Sequence, residues 1–245
     1  MKLAVIGAGY VGLVTSACFS DFGYRVVCID SDKKKIQKLK KNIIPIYEPG
    51  LYDLIYKNTG SNYLQFSDNL NNLSDADIIF IAVGTPTMRR GDGEADLKYV
   101  FQVCVDIANH LTNKKRKLII TKSTVPIGTG EQIITRINKL RKDLVYGKNF
   151  HVASNPEFLR EGSAIEDFLR PDRVICGVTD DYSKEILNKL YRPLNLRETP
   201  MLFTDIESAE LIKYASNAFL AMKVSFINEI SDLCEKVGGD VQLVA

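Results

Sequence analysis

Apolar and polar residues fall in short blocks along the chain. Lys2 to Ile6 is an apolar run that stops at Gly7, as a buried strand does. The stretch GAGYVG follows, and from Leu13 to Phe22 apolar residues recur at helical spacing. Val26 to Ile29 is a second apolar run, closed by Asp30. The pattern predicts strand, glycine turn, helix, strand, acid. Residues 32–41 are charged and helix-forming, Pro45 to Leu51 (PIYEPGL) is a loop, and Leu51 to Asn58 is a further helix. Asp77 to Val83 (DIIFIAV) is a buried strand that runs into the loop GTPTMRRGDGEAD. Asp96 caps a helix reaching about Leu111. Strands at Lys117–Thr121, Phe150–Ser154, Arg173–Gly177 and Met201–Thr204 alternate with helices at Gly130–Arg141 and Asp181–Arg192.

This alternation predicts an α/β fold with a doubly wound, mostly parallel, Rossmann-like sheet. Ligands in such sheets lie beyond the carboxyl ends of the strands. The loops Gly7–Gly12, Gly84–Gly93, Lys122–Thr129 and Asn155–Gly162 all follow strands, so they should converge on one edge. Ile206 to about Val237 differs from the rest. It has no proline, and its apolar residues include Ile212, Ala215, Phe219, Met222, Phe226, Ile230 and Leu233. A helix of roughly 30 residues spans ~45 Å. Apolar all round, it should be buried between other elements. The chain stops soon after it, so a covering element is expected outside this sequence.

The opening block carries the first chemistry. Gly7 permits a tight turn, Gly9 lets a pyrophosphate approach the backbone, and Gly12 lets helix and strand pack closely. The helix start offers N–H groups and partial positive charge to phosphates. Asp30 stands near the ~20-residue spacing at which an acid meets the adenosine ribose. A bound dinucleotide follows. Two other readings are weaker: a signal peptide, which three glycines and a periodic βαβ unit contradict, and a glycine turn without a ligand, which leaves Asp30 unexplained.

Composition adds bounds. Of 245 residues, 45% are hydrophobic and 25% charged, and net charge is +2, so nothing points to a nucleic-acid surface. The Lys33–Lys35 and Lys114–Lys117 clusters read as solvated faces. Five widely spaced cysteines, Cys18, Cys28, Cys104, Cys176 and Cys234, lack zinc-ligand spacing and read as buried free thiols of a cytoplasmic protein. No apolar stretch is long enough to span a membrane.

Three further clusters are candidates. In KSTVP, Ser123 and Thr124 could hold a phosphate, a nicotinamide amide or a water, or serve only as a strand-to-helix turn. In NPEFLREG, Glu157 follows a proline at the ligand edge and suits a general acid or base; the alternative is a salt bridge with Arg160 or Arg173. Lys213 and Asn217 lie one turn apart on the long helix and together offer an oxyanion a cation and an amide; the alternative is a lysine that reaches solvent.

Together these stretches resemble the nucleotide-sugar 6-dehydrogenases of the UDP-glucose/GDP-mannose dehydrogenase family. The resemblance rests on GAGYVG, EPGL at Glu48–Leu51, VGTPT at Val83–Thr87, KSTVP, NPEFLREGSAIEDFLRPDR at Asn155–Arg173, and ELIKYASNAFLAMKVSFINE at Glu210–Glu229. It implies oxidation of a sugar C6 alcohol to a carboxylate with two NAD, by way of an aldehyde and a cysteine thioester. UDP-glucose is the first substrate it implies; GDP-mannose or another nucleotide sugar, or a non-catalytic NAD-binding fragment, are the alternatives. By the same resemblance NAD is held by Gly7, Ala8, Gly9, Tyr10, Val11, Gly12, Asp30, Lys35, Val83, Gly84, Thr85, Pro86, Thr87, Ser123, Thr124 and Glu161. Glu157 is the acid/base, Lys213 and Asn217 stabilise the oxyanion, and Thr124 positions a water. Phe158, Leu159, Arg160 and Glu161, with Glu157, Lys213 and Asn217, contact the sugar nucleotide. Residues 1–205 would be the NAD-binding domain and 206–245 a central helix that forms a homodimer. The family's nucleophilic cysteine lies in a GGxCxPKD stretch beyond that helix, and this sequence stops before both it and the UDP-binding domain. The expectation is an N-terminal portion, inactive alone.

Overall fold

The computed structural model describes residues 1–88, 93–195 and 199–245. Positions 89–92, inside the expected Gly84–Gly93 loop, lie outside the described residues. The strands are β1 (Lys2–Ile6), β2 (Arg25–Ile29), β3 (Leu64–Ser67), β4 (Ile78–Ile81), β5 (Lys117–Thr121), β6 (Phe150–Ser154), β7 (Val174–Gly177) and β8 (Met201–Thr204). They form one sheet in the order β3-β2-β1-β4-β5-β6-β7-β8. All neighbours are parallel except β6 and β7. The mostly parallel, Rossmann-like expectation holds. The strand order reverses from β1, with β2 on one side and β4 on the other, which opens a crevice at the carboxyl end of β1.

The helices are α1 (Tyr10–Asp21), α2 (Lys33–Leu39), α3 (Leu51–Gly60), α4 (Lys98–His110), α5 (Thr129–Leu140), α6 (Ala164–Leu169), α7 (Asp181–Leu190), α8 (Arg192–Asn195), α9 (Ile206–Val237) and α10 (Val241–Val244). Side chains of β1 alternate between the two faces of the sheet. Leu3 and Val5 join a core with α1, α3, α6 and α7; Ala4 and Ile6 join one with α4 and α5. Each fully buried Leu, Ile or Phe contributes about 1.5–3 kcal/mol.

β7 meets β6 at a single rung, Ser154 opposite Gly177. The antiparallel strand therefore starts beyond the carboxyl end of β6 and runs back to it. Val174 to Cys176 stand above the ligand edge as a wall. Asn155 continues the ladder with its side chain: Nδ2 donates to the Ile175 carbonyl at 2.7 Å.

Two expectations are corrected. The Lys114–Lys117 cluster is not a solvated face throughout, because Lys117 is wholly buried. β5 is an interior strand, and Lys117 Nζ donates to the carbonyls of Leu73, Ser74 and Ala76 at 2.7–2.8 Å, closing the short 3-10 helix Leu70–Ser74. Lys117→Met should take a donor from all three carbonyls, of which Leu73 keeps the Ala76 amide. A destabilisation of about 3 kcal/mol is expected, read by urea unfolding; a change below about 0.5 kcal/mol would show that water replaces the ammonium there.

The second correction concerns α9. Only its first two turns and Cys234 are buried, at Ile206, Ala209, Glu210 and Lys213. Phe219, Leu220, Met222, Val224 and Phe226 are exposed, because no described element packs over them. The start of α9 is seated by close approach. A Cβ on Gly177 would lie 2.7 Å from the Ala209 Cβ, and one on Gly130 would lie 2.5 Å from Ile206 Cγ2. The Glu210 carboxylate accepts from the Gly128 and Gly130 amides at 2.7 and 2.8 Å. Burial raises its pKa.

Candidate active site

The loops after β1, β4, β5 and β6 do converge, and short contacts join each to the next. Gly7, at φ +109°, packs under the end of β4: a Cβ there would lie 2.4 Å from the Ala82 carbonyl oxygen. At Gly12 a Cβ would lie 1.8 Å from the Gly7 carbonyl oxygen, whereas at Gly9 nothing stands within 4 Å. The turn is closed on its protein side and open at Gly9. No side chain caps α1 at Gly9, so its first-turn amides are available to an anion. These features fit a dinucleotide pyrophosphate.

Asp30 Oδ2 accepts from the Ala8 amide at 2.8 Å and pairs with Lys35 Nζ at 3.0 Å; Oδ1 accepts from the Asp32 amide at 2.9 Å. Lys35 is thus drawn to the carboxylate and away from the solvated face expected for Lys33–Lys35. The pair leaves Lys35 partly neutralised as a phosphate ligand, and Asp30 repels a 2′-phosphate. NAD should bind more tightly than NADP in calorimetric titrations of both. NADP binding as tight or tighter would show that the lysines, not Asp30, govern the ribose end.

The next two loops are tied by hydroxyls. Ser123 Oγ donates to the Val83 carbonyl at 2.6 Å, and Thr85 Oγ1 donates to the Thr124 carbonyl at 2.8 Å. The Ser123 hydroxyl is therefore engaged in holding the Val83–Thr87 loop. The Thr124 side chain stays half-buried at the edge.

The β6–α6 loop carries the carboxylates. Glu157 Oε1 lies 3.2 Å from Lys213 Nζ, and Oε2 accepts from the Leu159 amide at 2.6 Å. Lys213 also stands 5.1 Å from the centre of the Phe158 ring. Two residues distant in sequence and both read as functional are brought together, each about a tenth exposed. Of the two alternative partners, Arg160 pairs instead with Asp167. Asn217 is exposed one turn beyond Lys213, and Glu161 is exposed beside Tyr10. Glu157, Phe158, Leu159 and Arg160 line one wall of a cavity of about 700 Å³; Val174 and Ile175 line another, and Phe219 and Leu220 of α9 lie across from them.

Sequence reasoning missed two elements of the site. The first is Glu48, noticed only as part of EPGL. It is buried, accepts from the Gly162 and Ala164 amides at 2.8 and 2.9 Å, and receives the Tyr10 hydroxyl. It ties the glycine turn to the Glu157 loop. Burial and this carboxylate push the Tyr10 phenol up to about 12. The second is Lys122 with Asn155 and Tyr191, all buried at the cavity floor. The available signal was a cation and an amide directly following apolar strands.

Sequence comparison matches this geometry. The sequence model described as UDP-glucose/GDP-mannose dehydrogenase family, NAD binding domain, covers residues 1–195, and the family's central domain covers 207–245. The chain belongs to the UDP-glucose/GDP-mannose dehydrogenase family. Its first 195 residues are the NAD-binding domain of that family. A UDP-glucose 6-dehydrogenase of Rhizobium meliloti is 52% identical over all of this chain, which covers 55% of that protein. The UDP-glucose 6-dehydrogenase YwqF of Bacillus subtilis is 49% identical, with 54% of it covered. A ternary complex of GDP-mannose dehydrogenase from Pseudomonas aeruginosa superposes with TM-score 0.94 at 34% identity, over all of this chain and 55% of that one. A UDP-glucose dehydrogenase from Pyrobaculum islandicum superposes with TM-score 0.91 at 39% identity, over 99% of this chain and 55% of its own. The chain spans about half the length of these relatives. Among the described residues no helix is long and apolar enough to cross a membrane, and no cluster suits a metal ion.

Proposed function

We propose that this chain supplies the NAD-holding domain and one wall of the sugar-nucleotide site of a UDP-glucose 6-dehydrogenase, which oxidises the C6 alcohol to UDP-glucuronate. The buried Glu157–Lys213 pair beside the dinucleotide turn carries this reading. Relatives named for UDP-glucose, at about half identity, support that substrate over GDP-mannose. Residues 1–205 form the cofactor domain, and 206–245 the central helix, whose exposed apolar face suits a homodimer.

The residues divide the work by chemistry. Bound NAD supplies the hydride acceptor. Glu157, with one oxygen on Lys213 and one on the Leu159 amide, is placed to take up and return a proton. Lys213 stabilises charge on the C6 oxygen as it develops, and Asn217 adds an amide when substrate covers it. Thr124 orients a water for hydrolysis. Glu161 and the Val83–Thr87 loop hold the cofactor, and Phe158 to Glu161 contact the sugar nucleotide.

The second oxidation implied by the family resemblance needs a thiolate at C6. All five cysteines of this chain are buried. Burial pushes the Cys28, Cys104 and Cys176 thiols up to about 12 and Cys18 higher still. The 245-residue chain should therefore bind NAD without sustained turnover, while a polypeptide of the relatives' full length that carries these residues should form two NADH per UDP-glucose. NADH absorbance under saturating UDP-glucose or GDP-mannose tests both. Sustained turnover by the short chain would refute the cysteine argument; preference for GDP-mannose would replace the substrate.

A further inference from the structure

Glu48 is a buried carboxylate between α2 and α3, away from the loops that follow the strands. Its backbone is fixed by the turn it opens. Leu51 is buried, and its amide donates to the Glu48 carbonyl at 3.1 Å. Gly50, at φ +78°, caps α3, and a Cβ there would lie 3.7 Å from Ile165 Cδ1, so the turn rests against α6. The side chain collects three donors. Oε1 accepts from the Ala164 amide at 2.9 Å, Oε2 from the Gly162 amide at 2.8 Å, and the Tyr10 hydroxyl also donates to Oε2. The Gly162 amide lies 3.2 Å from that hydroxyl as well. Gly162 has φ +89°, where an L side chain is strained, and its turn brings both amides onto one carboxylate.

Two of these bonds have an ordinary explanation. Ala164 opens α6, and Ser163 at its N-cap makes no side-chain bond. Glu48 supplies the missing acceptor from 116 positions away. The third bond does not belong to that account. Tyr10 is the first residue of α1, directly after Gly9. Capping α6 needs no bond to the glycine turn. A carboxylate only accepts hydrogen bonds, so it can join two segments that each present donors. Here the two segments are the dinucleotide turn and the loop that carries Glu157 and Glu161.

We infer that Glu48 is a positioning residue of the cofactor site: with Tyr10 it fastens the Glu161–Gly162 peptide to the start of α1, and so sets where Glu161 stands relative to the dinucleotide turn. The peptide is planar, so a Gly162 N–H held by Glu48 fixes the Glu161 carbonyl and Cα with it. Glu48 acts through Glu161 and needs no cofactor contact of its own. A binding group already held in place pays less ordering entropy when the ligand arrives. NAD affinity therefore depends on Glu48. This deepens the dehydrogenase reading and rests on it for the role of Glu161.

The test is a double-mutant cycle on NAD affinity, measured by calorimetry on the 245-residue chain with Glu48→Gln, Glu161→Ala and both together. Glu48→Gln keeps the size but turns an NH2 toward one of the donors, which opens the clasp. NAD affinity should fall about fivefold or more. In the Glu161→Ala background the same change should cost less than about twofold, because the side chain it positions is gone. A plain cap of α6 gives losses that multiply, and multiplied losses overturn the inference. Unchanged affinity in Glu48→Gln overturns it too. If Glu161→Ala alone binds NAD as the wild type does, the cofactor role of Glu161 is refuted and the inference with it, whereas multiplied losses refute the inference alone. If Glu48→Gln does not fold, Tyr10→Phe takes its place. It removes the one donor from α1 and leaves both amides on Glu48. Its cycle with Glu161→Ala should show the same shortfall, and multiplied losses there overturn the inference.

Discussion

If the proposed function is right, Lys213→Ala in an enzyme of the relatives' full length that carries these residues should lower kcat about a hundredfold or more and leave KM for the sugar nucleotide little changed. On the proposed reading the ammonium meets a charge that exists only during reaction. It is 3.2 Å from Glu157 and 5.1 Å from the Phe158 ring, with both partners at the cavity wall. Loss of one donor to a developing oxyanion typically costs about 3 kcal/mol. Interactions made only in the transition state show in kcat, whereas uniform binding shows in KM. A folded mutant with normal kcat and normal KM would make Lys213 a structural partner of Glu157 and nothing more. A raised KM with kcat intact would assign it to substrate binding alone.

Substitutions at the glycine turn should separate two effects that sequence motifs join. Gly12→Ala places a Cβ 1.8 Å from the Gly7 carbonyl oxygen, and backbone on both sides must move. A loss of about 3 kcal/mol or more is expected, with NAD binding lost alongside it. Gly9→Ala meets nothing within 4 Å, and its φ of −84° suits any residue. Its melting temperature should stay near the wild-type value, while the new methyl fills the open space proposed for the pyrophosphate. NAD affinity should fall about tenfold or more, or at least 1.4 kcal/mol. Thermal melting and calorimetry of both variants give the comparison. Tight NAD binding by a stable Gly9→Ala would place the phosphates elsewhere.

Much of this site could be read from the chain because its parts are local. The block from Lys2 to Asp30 fixes strand, turn, helix and acid within one unit, and the structure reproduces it nearly residue for residue. Glu157 stood out as a carboxylate after a proline at the ligand edge, and Lys213 as a cation on an apolar helix. Their pairing could not be read, since it depends on how β7 seats α9 beside the β6–α6 loop. Lys117 misled for a related reason. Its neighbours Lys114, Lys115 and Arg116 suggest a solvated run, but the carbonyls that bury it come from residues 73–76. The edge strand β3 was missed because four residues with two polar positions carry little pattern. Exposure of α9 beyond Lys213 is likewise set by what packs on it, not by its own residues.

The way α9 is held also makes it a lever. Glu210 and the two bare glycines grip its first eight residues, and the remaining arm from Lys213 to Val237 extends ~36 Å. Each degree of tilt at that grip displaces the far end by about 0.6 Å over this arm. The fulcrum sits one turn from the ammonium that faces Glu157. Motion too small to break the 3.2 Å contact at one end is magnified into side-chain-sized travel at the other.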